Sequence, residues 1–187
     1  TSADSMAGSP ESGTERETVF DMDQTQQPSG SEPTNSVLDG SVSVVVPTYN
    51  EVDNIPMLAQ QLFGLGLPDI RLVIVDDGSP DGTANVARKL SGRYANRIIV
   101  IEREGKQGLG TAYIAGFKKA LELGTDYMIQ MDADLSHSPE YIPDLLGRLD
   151  ESDIVVGSRY IRGGGVDAGW NFKRRFLSSS ANRMIRV

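Results

Sequence analysis

The sequence predicts an α/β fold in which a mostly parallel, Rossmann-like sheet is flanked by helices. Three features of the chain lead to this prediction. Short runs of β-branched and other apolar residues alternate with segments of helical periodicity. The runs are almost continuously apolar, which is typical of strands covered on both faces. The links between the segments are short, as expected when helices connect parallel strands.

The predicted elements occupy most of the chain after residue 40. Strands are predicted at residues 42–46, 72–75, 98–101, 127–131 and 154–156. Helices are predicted between and after them at residues 54–63, 83–90, 110–123 and 139–149. The last helix has Ser138 as a candidate N-cap and Pro139 at its first position, where proline is favoured. Ligands of such sheets bind beyond the carboxyl ends of the strands, which here are followed by residues 47–51, 76–81, 132–136 and 157–160.

Residues 1–40 are predicted to form a disordered tail, and residues 41–187 a single folded domain. The first forty residues contain eight acidic residues and one basic residue and are rich in Ser, Thr, Gln, Gly and Pro. A segment with so few aliphatic side chains cannot bury enough apolar surface to offset the entropy lost on ordering. We therefore expect the folded part to begin at the first predicted strand.

Composition excludes several classes of chemistry. The chain has no Cys and one His, so a disulfide framework, a thiol nucleophile and a multi-histidine zinc site are ruled out. No apolar stretch approaches the roughly 18–20 residues that span a bilayer, and the N-terminus lacks the pattern of a signal peptide. We therefore expect an intracellular protein, soluble or peripheral, with no transmembrane helix in this chain.

Charge is unevenly distributed along the predicted domain. Residues 157–187 contain seven basic residues and one acidic residue, whereas residues 41–156 carry a net charge of −7. An acidic part that faces a basic segment favours a site for a metal ion and a phosphate group over a nucleic-acid surface. Nucleic acid is therefore not expected among the ligands.

Asp132, Ala133 and Asp134 directly follow the fourth predicted strand. If the backbone stays extended, the two aspartates point to the same side, and two converging carboxylates repel each other unless a proton or a cation lies between them. A hard divalent ion such as Mg²⁺ or Mn²⁺ takes one or two carboxylates and completes its coordination with phosphate oxygens and water. A pair of solvated loop acids is the alternative interpretation.

Two other strand ends also carry polar residues. Asp76 and Asp77 follow the second strand, and on extended backbone only one of two adjacent carboxylates can face a ligand. The residues after them are typical of a turn and of a cap for the next helix. After the first strand, Tyr49 offers an aromatic face and Glu51 an acceptor for a ribose or a base, although a plain strand end explains the same residues.

The glycines of residues 105–110 follow the pattern GxxGxG, which fits neither a dinucleotide fingerprint nor a Walker motif. A close-packed loop that leads into a helix is the better interpretation. His137 is interpreted as a turn or packing residue rather than a metal ligand.

Five segments, taken in order, resemble one known family. They are VVVPTYNE, VDDGSPDGT, GLGTAYIAGF, MDADLSHSPEYIPDLL, and GSRY followed by GW and KRR. This set covers about residues 41–187 and is similar to the dolichyl-phosphate mannosyltransferases, which belong to glycosyltransferase family two and have the GT-A nucleotide-sugar fold. The resemblance implies transfer of mannose from GDP-mannose to the phosphate of a dolichyl or other polyprenyl carrier, with inversion at the anomeric carbon.

The resemblance also implies roles for individual residues. The nucleoside end of GDP-mannose would be held by Pro47, Tyr49, Glu51, Val75 and Asp77. The donor diphosphate would be held through Mg²⁺ or Mn²⁺ by Asp132, Ala133 and Asp134, with Ser136 as a further metal contact. The acceptor phosphate would be bound by Arg159, Arg174 and Ser178. Among these residues, the catalytic ones would be Asp132, Asp134 and Arg159.

Residues 172–187 combine apolar residues at roughly helical spacing with basic ones. Such a segment fits a helix on an anionic membrane surface, where a lipid-linked acceptor would lie, or a helix packed against protein. With the resemblance, this pattern leads us to expect a cytoplasmic protein, peripheral on the cytoplasmic face of a membrane. Relatives continue beyond the position of Val187, so we expect this chain to lack the C-terminal part of the family domain. It would then be a fragment, a truncated product, or half of a split enzyme whose partner chain supplies the rest.

Three alternatives remain open at this point. The first is a related transferase that uses UDP-glucose or another nucleotide sugar, because the named positions suit a nucleotide diphosphate better than a particular base or hexose. The second is a non-catalytic subunit that binds a nucleotide sugar. The third is a nicotinamide-dependent oxidoreductase, which the glycine spacing and the DxD motif disfavour.

Overall fold

The computed structural model of the chain describes residues 17–20 and 40–158. They fall into two units, one made of residues 17–20 and 148–158 and the other of residues 40–147. The strands are β1 (Glu17–Phe20), β2 (Val42–Thr48), β3 (Ile70–Asp76), β4 (Ile98–Glu102), β5 (Tyr127–Gln130) and β6 (Ile154–Gly157). The α-helices are α1 (Asn54–Gly64), α2 (Thr83–Arg93), α3 (Leu109–Glu122) and α4 (Ile142–Leu146).

The larger unit contains a four-stranded sheet in the order β4-β3-β2-β5, and all neighbouring strands are parallel. The chain runs from β2 through β3 to β4 in one direction and then crosses to β5 on the other side of β2. The strand order therefore reverses at β2, which is the point where open α/β sheets bind their ligands. The predicted α/β fold with a parallel sheet is confirmed.

The core lies between this sheet and its helices. Val44, Val45 and Val46 of β2 are fully buried, as expected for a strand covered on both faces. Helix α3 approaches the sheet closely at Gly116, where a Cβ atom would lie 2.2 Å from Cγ1 of Val45. Only glycine allows the helix to lie this close, and this contact sets the height of α3 above the sheet.

The helix predicted at residues 139–149 is shorter and is divided. Pro139–Tyr141 forms one turn of 3₁₀-helix, and α4 follows directly. Pro143 has no N–H group to bond to the carbonyl of Pro139, which instead accepts from the N–H of Ile142, one residue earlier. The predicted cap is also wrong in one respect, because Ser138 occupies the N-cap position but its side chain makes no capping hydrogen bond.

The smaller unit contains a two-stranded parallel ladder of β1 and β6, with Glu17 opposite Ile154 and Phe20 opposite Gly157. Four residues of the segment predicted to be a disordered tail are therefore in a strand. Thr, Val and Phe at positions 18–20 favour strands. The mean composition of forty residues does not reveal a run of only four residues. Among the described residues, no helix is both long and apolar enough to cross a bilayer.

Candidate functional site

The four strands of the larger unit end at one edge of the sheet because they are parallel. Tyr49 follows β2, Asp77 follows β3, Arg103 follows β4, and Asp132 follows β5. Asp77 contacts the end of β2, where its N–H donates a hydrogen bond to the carbonyl of Thr48 at 3.0 Å. On the other side of β2, the N–H of Met131 donates to the carbonyl of Val45 at 3.1 Å. Asp77 and Asp132 therefore flank the end of β2 on opposite sides.

A cavity of about 220 Å³ opens at this edge, beside the ends of β2 and β3 and the start of α3. Three of its lining residues were predicted to hold the nucleoside: Pro47, Tyr49 and Asp77. The other lining residues are Thr48, Lys106, Gly108, Leu109 and Ala112. The structure thus brings part of the predicted nucleoside site together around one cavity.

The two adjacent aspartates after the second predicted strand have different environments. Asp76 is fully buried, and its carboxylate accepts hydrogen bonds from Thr48 Oγ1 at 2.9 Å, Ser79 N at 2.9 Å and Ser79 Oγ at 2.6 Å. Asp77 lines the cavity instead. One carboxylate therefore holds the turn, as predicted, and the other lies at the cavity.

Arg103 is a residue of this site that sequence reasoning missed. Its Nε donates to Asp77 Oδ1 at 2.6 Å, Nη2 also contacts Oδ1, and the two side chains are 9% and 12% exposed. Its Nη1 donates to Thr111 Oγ1 at 2.7 Å in the first turn of α3. A basic residue directly after a strand was the available signal, but it could be connected with the acidic end of β3 only once the strand order was known.

Lys106 was also missed. Its Nζ lies 3.6 Å from the centroid of the Tyr49 ring, a cation–π contact at the cavity. The loop that carries Lys106 was interpreted only as a close-packed connection. In the structure Gly108 has a φ of 96°, which favours glycine, and it lines the cavity beside Lys106. The loop is therefore part of the site.

Side chains that follow β3 fix the loop after β2. The N–H groups of residues 50, 51 and 52 donate in turn to Ser79 Oγ (3.0 Å), Thr83 Oγ1 (3.0 Å) and Asp81 Oδ2 (3.1 Å). The sequence predicted Ser79, Asp81 or Thr83 as a cap of the next helix, but α2 has Gly82 at its N-cap and no side-chain capping bond. Burial opposes ionisation of Asp81, yet hydrogen bonds from Thr83 and Val52 lower its pKa below the usual value.

Two residues predicted to bind the nucleoside do not line the cavity. Val75 is fully buried and packs with Val45 and Tyr113 in the core under α3. Glu51 is partly buried, and its Oε2 accepts a hydrogen bond from Asn54 Nδ2 at 2.6 Å. Glu51 lies close to the start of α1 and is engaged there.

The DxD segment does not continue the extended backbone. Strand β5 ends at Gln130, and the chain turns at Ala133 and Asp134. The prediction that both carboxylates point to the same side required an extended backbone from Asp132 to Asp134, and this condition is not met. Ala133 is buried, whereas Asp132 is about half exposed and Asp134 is exposed.

Local hydrogen bonds hold Asp134 in this turn. Its Oδ1 accepts from the N–H of Ser136 at 2.9 Å, and Leu135 between them has a φ of 59°. Partial burial opposes ionisation of Asp134, but the hydrogen bonds from Ser136 and the charge of His137 together lower its pKa below the usual value. Ser136, which was predicted as a metal contact, is exposed, and its N–H contacts Asp134.

Asp132 is contacted from two sides. Tyr113 Oη donates to its Oδ1 at 3.2 Å, and His137 Nδ1 lies 3.7 Å from its Oδ2. Burial, followed by the charge and hydrogen bond of Asp132, raises the pKa of Tyr113, so its hydroxyl keeps its proton. His137 lies in the bend that follows Asp134 and is half exposed beside Asp132, so of the two predicted roles, turn residue or packing residue, the structure agrees with the first. Tyr113 was not singled out, because an aromatic residue within a helical pattern is typical of a core.

The donor set at Asp132 and Asp134 suits a hard divalent cation. Both are carboxylates that reach solvent at the end of a strand, and such ions take one or two carboxylates together with phosphate oxygens and water. Within residues 17–20 and 40–158 no cluster of three or more potential ligands of the His, Cys, Asp and Glu types occurs. A hard divalent ion held by Asp132 and Asp134 would therefore need further ligands from a substrate and from water. The predicted acceptor residues Arg159, Arg174 and Ser178 lie outside the described residues.

Residues 43–186 match the family described as Glycosyl transferase family 2. The chain is 38% identical over 164 residues to the polyprenol monophosphomannose synthase of Mycolicibacterium smegmatis, covering 87% of this chain and 61% of that protein. It is also 38% identical over 146 residues to the undecaprenyl-phosphate mannosyltransferase of Micrococcus luteus, covering 78% and 59%.

Two solved structures share the fold. One is the mannosyltransferase PcManGT from Pyrobaculum calidifontis in complex with GDP-Man and Mn²⁺, with a TM-score of 0.51, 25% identity, and coverage of 60% of this chain and 33% of that one. The other is S. aureus TarS 1-349, with a TM-score of 0.50, 28% identity, and coverage of 59% and 32%.

The matched region accounts for most of the chain, although the chain spans only about three fifths of the length of the two curated relatives. The parallel sheet, its strand-end site and the structural neighbours agree with the GT-A type of fold that the sequence motifs suggested. The chain belongs to glycosyltransferase family 2.

Proposed function

We propose that this chain is the donor-binding part of a polyprenyl-phosphate mannosyltransferase. In this proposal it binds GDP-mannose with Mg²⁺ or Mn²⁺, and mannose passes to a dolichyl or other polyprenyl phosphate at the cytoplasmic surface of a membrane. The observation that supports it best is the arrangement around the end of β2, where the cavity with Asp77 lies on one side and Asp132 on the other. The two mannosyltransferase relatives support the choice of mannose and of a polyprenyl carrier.

The cavity suits the nucleoside of the donor. The Tyr49 ring offers a face for stacking, and the Asp77 carboxylate accepts hydrogen bonds from N–H or O–H groups. Guanine presents two adjacent N–H donor groups, which match a carboxylate. Arg103 contacts the Asp77 carboxylate at Oδ1, through both Nε and Nη2. GDP-mannose in complex with a structural neighbour supports the same assignment of the base.

Asp132 and Asp134, with Ser136 beside them, would hold the metal ion. When bound, a divalent cation stabilises the negative charge that grows on the diphosphate as the glycosidic bond breaks. Tyr113 donates a hydrogen bond to Asp132, and the Ser136 N–H donates one to Asp134. These hydrogen bonds would fix the orientation of both carboxylates before a metal ion binds.

The acceptor needs little activation. A phosphate monoester is largely ionised near neutral pH, so one of its oxygens attacks the anomeric carbon from the face opposite GDP and no strong general base is required. This single displacement gives inversion. Arg159 and Arg174 would bind the acceptor phosphate through planar guanidinium groups, with Ser178 as a further donor.

Transfer of radiolabelled mannose from GDP-mannose to polyprenyl phosphate in detergent micelles tests the proposal. We expect Mn²⁺-dependent formation of the labelled lipid by this chain, loss of product in Asp134→Asn, and retention in Asp144→Asn, a matched change at an exposed position of α4. UDP-glucose in place of GDP-mannose is expected to give little product. Equal or reversed donor preference would replace the mannose assignment, and GDP-mannose binding without transfer would leave a binding subunit.

A further inference from the structure

We propose that Tyr113 is a positioning residue for Asp132, and that its hydroxyl holds one carboxylate oxygen so that the other is presented to the metal ion. The inference rests on the proposed function, because it assigns Asp132 to metal binding. It concerns a residue of α3 that lies outside the DxD motif and outside the cavity lining.

The contact is directional. Tyr113 Oη lies 3.2 Å from Asp132 Oδ1 and 3.5 Å from the carbonyl oxygen of Met131. A phenol has one proton to donate, and the charged carboxylate is the stronger acceptor of the two. Asp132 Oδ2 lies 3.7 Å from His137 Nδ1 instead, and the Asp132 side chain is about half exposed. The hydroxyl therefore engages one oxygen and leaves the second accessible.

Packing determines where the Tyr113 hydroxyl lies. The residue is 7% exposed, and its ring stacks on Phe117 with centroids 6.0 Å apart. One turn further along α3, Gly116 brings the helix against Val45 of β2, closer than any residue with a side chain allows. A buried ring on a helix held this tightly keeps its hydroxyl at a fixed point relative to the end of β5.

The same turn of α3 also reaches the donor cavity. Ala112 lines the cavity, and the next residue, Tyr113, contacts Asp132. A single rigid segment therefore determines the distance between the cavity and the carboxylate. A hydrogen-bonding partner of a metal ligand fixes the ligand's orientation, and its loss commonly weakens metal binding by 10–100-fold.

Tyr113→Phe tests this role because it removes the hydroxyl and keeps the ring. Binding of Mn²⁺ in the presence of GDP is measured by electron paramagnetic resonance of the free ion, and binding of GDP is measured separately in EDTA. We expect the Kd for Mn²⁺ to rise by about tenfold, at the lower end of the usual range because Asp132 is partly solvated. Metal-free GDP binding is expected to stay within about twofold of the wild type, and excess Mn²⁺ is expected to restore GDP affinity.

Tyr94→Phe is the matched control. Its ring stacks on Phe63, with centroids 4.5 Å apart, at the end of α2 rather than at the strand ends. Both affinities are expected to be unchanged in this variant.

Two results would overturn the inference alone. In the first, Tyr113→Phe binds Mn²⁺ as tightly as the wild type. In the second, it loses metal-free GDP affinity to the same extent, which would indicate a purely structural role. If the wild type itself shows no Mn²⁺-dependent GDP binding, the proposed function fails as well, so the two failures are distinguishable.

Discussion

Arg103 and Asp77 form an ion pair at the carboxyl edge of the sheet in which both side chains are about nine-tenths buried. Two guanidinium nitrogens contact the same oxygen, Asp77 Oδ1, and a third nitrogen reaches Thr111 in α3. The backbone N–H of Arg103 also donates to the carbonyl of Asp76 at 2.8 Å. Arg103 thus links the ends of β3 and β4 to the first turn of α3, beside the cavity.

Removing Arg103 is expected to destabilise the fold. Arg103→Ala leaves the buried carboxylate of Asp77 without its counter-charge, and breaking such a pair typically lowers the free energy of unfolding by about 3 kcal/mol. Arg88→Ala breaks the ion pair with Glu102, whose two partners are both 48% exposed, and should lower it by about 0.5 kcal/mol or less. Urea denaturation of both variants measures these changes. Equal losses would contradict the importance assigned to the Arg103–Asp77 pair.

Gly116→Ala is expected to push α3 away from the sheet. The new methyl group would lie 2.2 Å from Val45 Cγ1 and 3.2 Å from Val75 Cγ2, both in the core. We expect a loss of about 1–3 kcal/mol in the free energy of unfolding, together with weaker Mn²⁺ binding as Tyr113 shifts. Thermal denaturation and Mn²⁺ titration measure the two effects.

Gly92→Ala provides the control for Gly116→Ala. Gly92 is also helical, and a Cβ atom there meets nothing within 4 Å. Alanine should raise stability by up to about 1 kcal/mol, because it favours the helix over glycine. Similar destabilisation in both variants would show that close packing of α3 at Gly116 is not the cause.

Asp81→Ala is expected to loosen the loop after β2. The carboxylate accepts hydrogen bonds from Val52 N, Thr83 N and Thr83 Oγ1, and Ala leaves all three donors without this partner. We expect a loss of about 1–2 kcal/mol in stability and a several-fold weaker binding of GDP, since Tyr49 precedes this loop. Calorimetry measures stability and GDP affinity in Asp81→Ala. Asp53→Ala is the control, because Asp53 is exposed and its side chain does not cap α1. Unchanged GDP affinity in Asp81→Ala would show that the loop does not position the cavity.

Asp126 predicts a pH dependence of stability. Hydrogen bonds from the backbone and side chain of Ser41 lower the pKa of Asp126 below its usual value. A carboxyl whose folded pKa is depressed stabilises the fold above its unfolded pKa, and this stabilisation is lost as the pH falls through the folded pKa. Asp126→Asn should therefore be less stable than the wild type at about pH 7, and the difference should shrink at about pH 3. A constant difference across this range, in urea denaturation, would contradict the assignment.

The sequence predicted the strands and most helices because their signals are local. The β2 and β3 runs are continuously apolar, and α1 buries Ile55, Leu58, Ala59 and Leu62 at helical spacing. The division of the helix after Pro139 depends on one missing N–H at Pro143, which a periodic pattern does not reveal. The strand at residues 17–20 depends on pairing with β6, a partner distant in the chain.

The candidate site was only partly predictable. Motifs identified Tyr49, Asp77 and Asp132 because these residues lie at or just after the ends of predicted strands. Arg103 and Tyr113 gain their roles from contacts across the sheet edge, to Asp77 and Asp132, and these contacts require the strand order and the height of α3. The turn at Ala133 was missed because alternation was assumed to continue past the end of β5.

Calorimetric titration of GDP-mannose and Mn²⁺ tests the central claim most directly. If Asp132 and Asp134 share a divalent ion with the donor diphosphate, each ligand increases the affinity for the other, and linkage requires the same factor in both directions. We expect a factor of about ten or more in the wild type and its loss in Asp134→Asn. Independent binding of GDP-mannose and Mn²⁺ to the wild type would contradict the account.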